Sequence, residues 1–169
     1  MDAIEAILTR RSVRNYNQEP ISDQDMDTLL KAAMSAPSAN NKQPWHYVVI
    51  DDRGLLDQIA EFHRHGKMLH QAQAAILVCG DEKLAKYHGH MVLDCAAATE
   101  NILIGAHALG LGAVWIGIYP WENRIKAFRK FHDIPKDITP MALISLGYPD
   151  EKNPPAREFA FDRVHRNRW

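Results

Sequence analysis

Three arginines and a hydroxyl group lie close together near the start of the chain, in the segment Arg10-Arg11-Ser12-Val13-Arg14. Guanidinium forks match the oxygens of a phosphate group in pairs, and a serine hydroxyl adds a further hydrogen bond. The chain carries 20 basic and 21 acidic residues, so no general field attracts anions and any anion site must be local. The segment is therefore a candidate phosphate site, with a solvated basic turn as the alternative.

A loop rich in amides and small side chains follows at residues 36–45, with the sequence A-P-S-A-N-N-K-Q-P-W. Asn and Gln both donate and accept hydrogen bonds, which suits a heteroaromatic ligand with alternating donors and acceptors. A polar turn is the alternative, since Pro, Ser and Asn are common turn residues.

Three glycines lie within G-L-G-A-V-W-I-G at residues 110–117. Glycine lets a neighbouring backbone or a flat ligand approach closely. A G-x-G-x-x-G motif between a strand and a helix is absent, and so is a G-K-[ST] motif, which excludes the common dinucleotide and triphosphate loops.

The histidines and cysteines give little support to metal or thiol chemistry. The two H-x-H pairs, at residues 63–65 and 88–90, lie in segments predicted as helix or loop, where this spacing points the side chains apart. We therefore predict no metal site and expect these histidines at the surface or partly buried. Cys79 and Cys95 lie in apolar runs without a C-x-x-C motif and are predicted core residues. The arginine segment does not indicate nucleic-acid binding, because a nucleic-acid surface would need many more basic residues on one face of the protein.

Helices alternate with short apolar strands along the chain. Capping residues and helical spacing predict helices near residues 2–10, 22–36, 55–62, 91–109 and 121–131. Apolar runs bounded by glycine or proline predict strands at residues 45–50, 74–79, 113–118 and 141–146. The long apolar stretch from Cys95 to Trp121 is broken by polar residues and glycines, so we interpret it as a buried helix followed by a strand.

A chain of 169 residues can remove about 70% of its unfolded surface from water, enough for one core without disulfides or structural metal. We predict one domain over residues 1–169, with residues 150–169 as a C-terminal extension. That extension contains Phe159-Ala160-Phe161, too apolar for a free tail, and we expect it to pack on a second subunit. Acidic residues near the start argue against a signal peptide, so a reducing cytoplasm without membrane attachment is expected.

Four motifs appear in the order that is typical of the nitroreductase family of flavoproteins, which the chain resembles over nearly its whole length. They are R-R-S-V-R, A-P-S-x-x-N-x-Q-P-W, G-L-G-x-x-W-I-G and a final L-G-Y-P. The resemblance implies an α+β fold with three α/β/α layers and a central mixed, mostly antiparallel sheet. It also implies a homodimer that exchanges C-terminal segments and holds one FMN in each of two sites built from both subunits.

The resemblance also implies cofactor-binding roles for the residues of these motifs. Those expected at the FMN phosphate and nearby ribityl oxygens are Arg10, Arg11, Ser12, Arg14 and Arg157. Those expected to approach the flavin from the partner chain are Ser38, Ala39, Asn41 and Gln43. Backbone groups of Ile116 and Gly117 would lie beside the isoalloxazine ring, and Lys67 would favour the anionic reduced flavin. Tyr119 and Trp121 match no pattern of the family.

The function that the resemblance implies is an FMN-dependent oxidoreductase that uses NAD(P)H to reduce nitroaromatics, quinones or a similar flat small molecule. Since a flavin carries the redox chemistry, no catalytic side chains are expected. Donor and acceptor would occupy the same place in turn, which predicts ping-pong kinetics. The alternative is a flavin-binding or flavin-sensing module on the same fold without turnover.

Overall fold

The computed structural model describes residues 1–150 and 158–169, so Arg157 lies outside the described residues. Within them, one antiparallel sheet has the strand order β1-β2-β4-β3. Its strands are β1 (Trp45–Ile50), β2 (Ala74–Asp81), β3 (Gly112–Gly117) and β4 (Ile138–Gly147). The central strands β2 and β4 are buried along almost their whole length, as their continuous apolar runs predict.

The predicted helices are all present. They are α1 (Ala3–Thr9), α2 (Asp23–Met34), α3 (Arg53–Phe62), α4 (His88–Ala108) and α5 (Glu122–Phe131). The side chains of Asp2, Ser22 and Asp52 each accept a hydrogen bond from a backbone N–H in the first turn of α1, α2 and α3. These caps satisfy donors that a helix start otherwise leaves unpaired, so the helix starts follow directly from local sequence.

Two elements begin three residues before their predicted starts. Helix α4 begins at His88 rather than Met91, so the second H-x-H pair lies in its first turn. Strand β4 begins at Ile138 and contains Pro140, which lacks the N–H that a central strand needs. The pairing register with β2 shifts between Val78 and Cys79, opposite this proline, and the irregularity accommodates it.

Helices cover both faces of the sheet. Helices α3 and α5 pack on one face through Leu56, Ile59 and Phe128, and α2 and α4 pack on the other through side chains such as Leu29 and Ile102. This confirms the predicted three-layer α+β fold. The described strand pairs are all antiparallel, and the parallel component is an isolated bridge between residues 12 and 113. No helix among the described residues has the length and apolar character needed to cross a membrane.

The arginine segment is docked on β3 by backbone pairing. The N–H of Val13 donates to the carbonyl of Ala113 at 3.0 Å, and Ser12 forms the parallel bridge to the same residue. The side chain of Val13 fills the space beside Gly112, where a Cβ atom would lie 2.7 Å from Val13 Cγ1. The absence of a side chain at Gly112 is therefore what allows this close approach.

Substitution of Gly112 tests this docking. Gly112→Ala should lower the free energy of unfolding by about 1–3 kcal/mol, because the new Cβ overlaps Val13 and the two backbones must separate. Gly89→Ala is the control, since a Cβ there meets no heavy atom within 4 Å and alanine in a helix stabilises by about 0.5–1 kcal/mol. Urea denaturation measures both, and equal stability of the two variants would contradict the docking.

Candidate functional site

A cavity of about 450 Å³ lies beside the end of β3. Its lining comes from Arg14, from Arg64, His65, Lys67 and Met68 after helix α3, and from residues 114–117 of β3. We call it the basic cavity. A smaller cavity of about 290 Å³ adjoins it and shares Arg14, Lys67 and Met68. The volume of the basic cavity falls within the usual range for a bound cofactor or substrate.

The wall formed by β3 offers unpaired backbone groups, because β3 is at the edge of the sheet. Residues of an antiparallel strand point their N–H and C=O groups alternately toward and away from the partner strand. The N–H of Ile118 donates toward β4, and the carbonyl of Ala113 points the other way, toward Val13. The alternation therefore directs the backbone groups of Trp115 and Gly117 away from β4, on the side of the basic cavity.

The space beside Gly117 is open. Among the residues that the structure describes, a Cβ atom at this position would meet only Arg124 Nη1, at 4.0 Å. The Trp115 side chain is 40% exposed in the same wall. A flat ligand can therefore lie against the end of β3 and reach its backbone groups.

Positive charge dominates the basic cavity. Arg14, Arg64 and Lys67 all line it, and among the described residues no carboxylate does so. Arg14 also makes no ion pair within the described part of the chain. Three cations around one concave surface suit a ligand with negative charge, because guanidinium and ammonium groups bind such groups strongly.

The other residues of the arginine segment do not line the basic cavity. Arg10 Nε lies 3.2 Å from Glu100 Oε1 on α4. Arg11 is buried and donates to the carbonyls of Leu8 and Arg10. Ser12 is half-buried and paired to β3 through its backbone. Of the four, only Arg14 lines the cavity together with the predicted Lys67, Ile116 and Gly117.

The amide-rich loop lies elsewhere in the chain. Asn41 and Gln43 are exposed and have positive φ values of 52° and 47°, in the left-handed region that non-glycine residues rarely adopt. Two hydrogen bonds hold this conformation: Asp94 Oδ1 accepts from the N–H of Ala39 at 3.1 Å, and Ser38 Oγ accepts from the N–H of Gln43 at 2.9 Å. The loop therefore exposes its amides to solvent, and none of them lines the basic cavity of its own chain.

Apolar side chains are exposed on the N-terminal helix, on α4 and near the C-terminus. Among those that are at least half exposed are Ile4, Ile7, Leu93, Phe159 and Phe161. Leu93 precedes Asp94, the residue that holds the amide-rich loop. Exposed apolar surface of this extent commonly marks a contact with another protein.

A second cavity, of about 490 Å³, lies between the start of β4 and the strands β1 and β2. The ionisable groups on its rim are paired with one another: His46 Nε2 lies 3.4 Å from Asp81 Oδ2, and Lys83 Nζ lies 2.7 Å from Asp137 Oδ2. We favour the basic cavity as the functional site, although it is slightly smaller, because its cations are available to a ligand.

Packing accounts for the environments of the two cysteines and of His63. Cys79 and Cys95 are buried free thiols, as predicted, and burial raises the pKa of each to about 12. The expectation of surface or partial burial is wrong for His63, which is 3% exposed because its ring packs against Phe128. Burial, followed by the positive charge of Arg124, lowers the pKa of His63 and keeps it neutral. The described residues contain no group of three or more metal-ligating side chains.

The sequence interpretation missed five residues of the basic cavity, Arg64, His65, Met68, Val114 and Trp115. The basic composition of residues 63–67 is the pattern from which Arg64 and His65 could have been found. Trp115 faces the cavity only because β3 is an edge strand, and no local pattern predicts the order of strands in a sheet.

Comparison with known proteins finds close relatives. The sequence model described as "Nitroreductase family" matches residues 7–86 and 63–148. A protein of Archaeoglobus fulgidus, provisionally named an NADH dehydrogenase/NAD(P)H nitroreductase, is 50% identical over 99% of both chains. A relative of Methanothermobacter thermautotrophicus with the same provisional name is 46% identical over 100% of this chain and 88% of its own.

Solved structures share the fold. A Bacteroides thetaiotaomicron protein, also provisionally named an NADH dehydrogenase/NAD(P)H nitroreductase, superposes with a TM-score of 0.94 at 41% identity, over 99% of this chain and 98% of that one. A Desulfovibrio desulfuricans protein described as a nitroreductase in complex with FMN superposes with a TM-score of 0.87 at 30% identity, over 100% of this chain and 98% of that one.

Proposed function

The chain belongs to the nitroreductase family, and we propose that it is an FMN-dependent oxidoreductase that uses NAD(P)H to reduce a flat small-molecule acceptor such as a nitroaromatic or a quinone. The observation that carries the proposal is the basic cavity itself, with three cations, no described carboxylate and the open backbone edge at Gly117. An FMN-bound relative and relatives named as NAD(P)H nitroreductase or FMN reductase support it.

The residues of the basic cavity fit FMN. The ring system requires a flat surface and hydrogen-bonding groups, which the glycine-opened edge of β3 offers beside Ile116 and Gly117. The phosphate requires cations, and Arg14 belongs both to the arginine segment and to the cavity. The cofactor would therefore be held with its phosphate toward residues 10–14, and Lys67 would supply positive charge beside the reduced form.

Arg10 can join the phosphate site at little cost. Its pairing with Glu100 is a partly exposed ion pair, since the Glu100 side chain is 44% exposed, and such pairs contribute about 1 kcal/mol or less. A phosphate carries more charge and accepts guanidinium bonds in pairs, so it competes well with one carboxylate. Arg11 and Ser12 would support the phosphate site from within the docked segment, and Arg157 remains a proposed phosphate ligand.

When bound, FMN supplies the redox chemistry, taking two electrons from NAD(P)H and giving them to the acceptor. The side chains of the cavity bind and orient rather than react. Arg14, Arg64 and Lys67 would stabilise the negative charge of the phosphate and of the reduced cofactor, because each cation lowers the energy of a nearby anion. Donor and acceptor would use the remaining open side in turn, which gives ping-pong kinetics and a broad choice of flat acceptors.

We further propose that the working unit is a homodimer whose two sites each use both subunits. The outward-facing loop with Ser38, Ala39, Asn41 and Gln43 would complete the basic cavity of the partner. The exposed apolar residues of α1 and α4 would form the contact, and the C-terminal extension with Phe159 and Phe161 would pack on the other subunit. We also propose that the protein acts in the cytoplasm. Two buried reduced thiols suit this compartment, which is also where NAD(P)H is available.

Turnover is tested by colour. The purified protein should be yellow, should bleach anaerobically with NADH or NADPH, and should regain its colour when a quinone or a nitroaromatic is added. Flavin reduced by the donor and reoxidised by the acceptor is what an oxidoreductase requires. Absorbance near the flavin bands measures both steps, and a yellow protein that no donor bleaches would identify a flavin-binding module instead.

Arg14→Ala should raise the dissociation constant for FMN about 10–100-fold, because each charge-assisted hydrogen bond contributes roughly 1.5–3 kcal/mol. The control is Lys126→Ala, whose ammonium group lies 3.9 Å from Glu122 on the exposed side of α5 and should leave the affinity unchanged. Flavin fluorescence titration of the apoprotein measures both. Equal affinity of the Arg14 variant and the parent would remove the phosphate site from the proposal.

Leu93→Glu should convert the dimer to a monomer and weaken FMN binding with it. Leu93 is 68% exposed beside the amide-rich loop, and a buried unpaired carboxylate at a subunit contact is strongly unfavourable. Leu55→Glu, on the outer helix α3 and 38% exposed, is the matched control and should stay dimeric. Analytical ultracentrifugation distinguishes the two, and a dimeric Leu93 variant would place the contact elsewhere.

A further inference from the structure

The carbonyl group of Gly117 has a charged partner outside the basic cavity. Arg124 on α5 donates from Nη1 to the Gly117 oxygen at 2.7 Å. The same guanidinium lies over the Trp121 ring, with Cζ 5.4 Å from the ring centroid. Trp121 precedes the first residue of α5, so the arginine spans from its own helix to the end of β3. Neither Arg124 nor Trp121 lines the basic cavity.

An arginine suits this position better than a lysine. Its planar head can donate to the carbonyl from one nitrogen while the delocalised charge lies over an indole ring, whereas an ammonium group has no planar face to stack on the ring. The ring contact therefore fixes the guanidinium in the orientation that the carbonyl requires. The backbone it holds belongs to a glycine, which has the greatest conformational freedom of any residue.

The buried His63 lies beside the same groups. The positive charge of Arg124 and the backbone of Gly117 both act on the pKa of its imidazole, in opposite directions, and burial has the largest effect and lowers it. Arg124 is the cation that this carbonyl meets, since its Nη1 atom lies 2.7 Å from the Gly117 oxygen.

The bond from Arg124 changes which backbone groups the open edge of β3 offers to a ligand. Gly117 directs both its N–H and its C=O away from β4, so without a partner the edge would present a donor and an acceptor side by side. An exposed carbonyl oxygen repels a negatively charged ligand. With the carbonyl occupied by Arg124, the N–H is the group left to face a ligand, and its direction is set.

We propose that Arg124 is a positioning residue for the cofactor: by holding the Gly117 carbonyl from outside the cavity, it makes the end of β3 a rigid hydrogen-bond donor toward the flavin. This role rests on the proposed FMN-dependent function. It acts through the Gly117 backbone and requires no contact between Arg124 and the cofactor.

The test compares Arg124→Met with Arg129→Met. Arg129 is on the same helix and also donates to backbone carbonyls, those of Lys136 and Ile138, and none of these three residues lines the basic cavity. Arg124→Met should raise the FMN dissociation constant about tenfold and make the midpoint potential of bound FMN more negative, because the reduced cofactor then faces a bare carbonyl. Arg129→Met should change neither affinity nor potential, although it removes similar bonds from α5.

A second measurement needs no cofactor. Hydrogen exchange of the apoprotein should be faster over residues 112–121 in Arg124→Met than in the parent, and unchanged there in Arg129→Met. If Arg124→Met does not fold, Trp121→Leu replaces it, since Trp121 is 56% exposed and its loss removes only the support of the guanidinium. That variant should weaken FMN binding and accelerate exchange over the same residues.

The outcomes separate the two proposals. A parent protein that binds no FMN overturns the proposed function and the role of Arg124 with it. A parent that binds FMN, together with an Arg124→Met variant of unchanged affinity, potential and exchange, overturns only the role of Arg124. Equal changes in Arg124→Met and Arg129→Met also overturn it, because they would report a general loosening of α5.

Discussion

The free edge of β3 is the constraint around which the rest of the structure is arranged. An edge strand leaves every second residue with an unpaired N–H and C=O, and such groups must bond to something. Val13 pairs with the edge at Ala113 and Arg124 takes the carbonyl at Gly117. Between and beside these two contacts, the backbone groups of Trp115 and the N–H of Gly117 face the basic cavity. The candidate functional surface is thus the part of an edge that the fold leaves open.

Local charge is concentrated on this edge although the whole chain is nearly neutral. The docked segment brings Arg14 to β3 from the N-terminus, and the turn after α3 brings Arg64 and Lys67 from the opposite side. Hydrophobic packing holds both segments in place. Val13 fills the space at Gly112, and the fully buried Leu69 anchors the turn after α3. The apolar neighbours of each cation therefore determine where its charge lies.

The proposed site would be completed by a second subunit, and the exposed surfaces of one chain fit this arrangement. The amide-rich loop is held in an uncommon backbone conformation by Asp94 and Ser38, yet its amides face outward. Strain of this kind persists only where surrounding bonds maintain it, and it is frequent at binding sites. The same part of the molecule exposes Leu93 on α4. A second copy that covers the apolar surface would also receive the loop, so association and cofactor binding would be one event.

The sequence by itself determined the secondary structure, the α+β class, the family and the residue types of the site. Caps at Asp2, Ser22 and Asp52, apolar runs and glycine breaks are local features, and local hydrogen bonding decides where helices begin. The tertiary structure alone decided that β3 is an edge strand, that Arg10 pairs with Glu100 while Arg14 faces the cavity, and that Arg124 reaches Gly117. These facts depend on strand order and helix packing between residues distant in the chain. No periodicity encodes them, because the same local pattern is compatible with several arrangements of its elements in space.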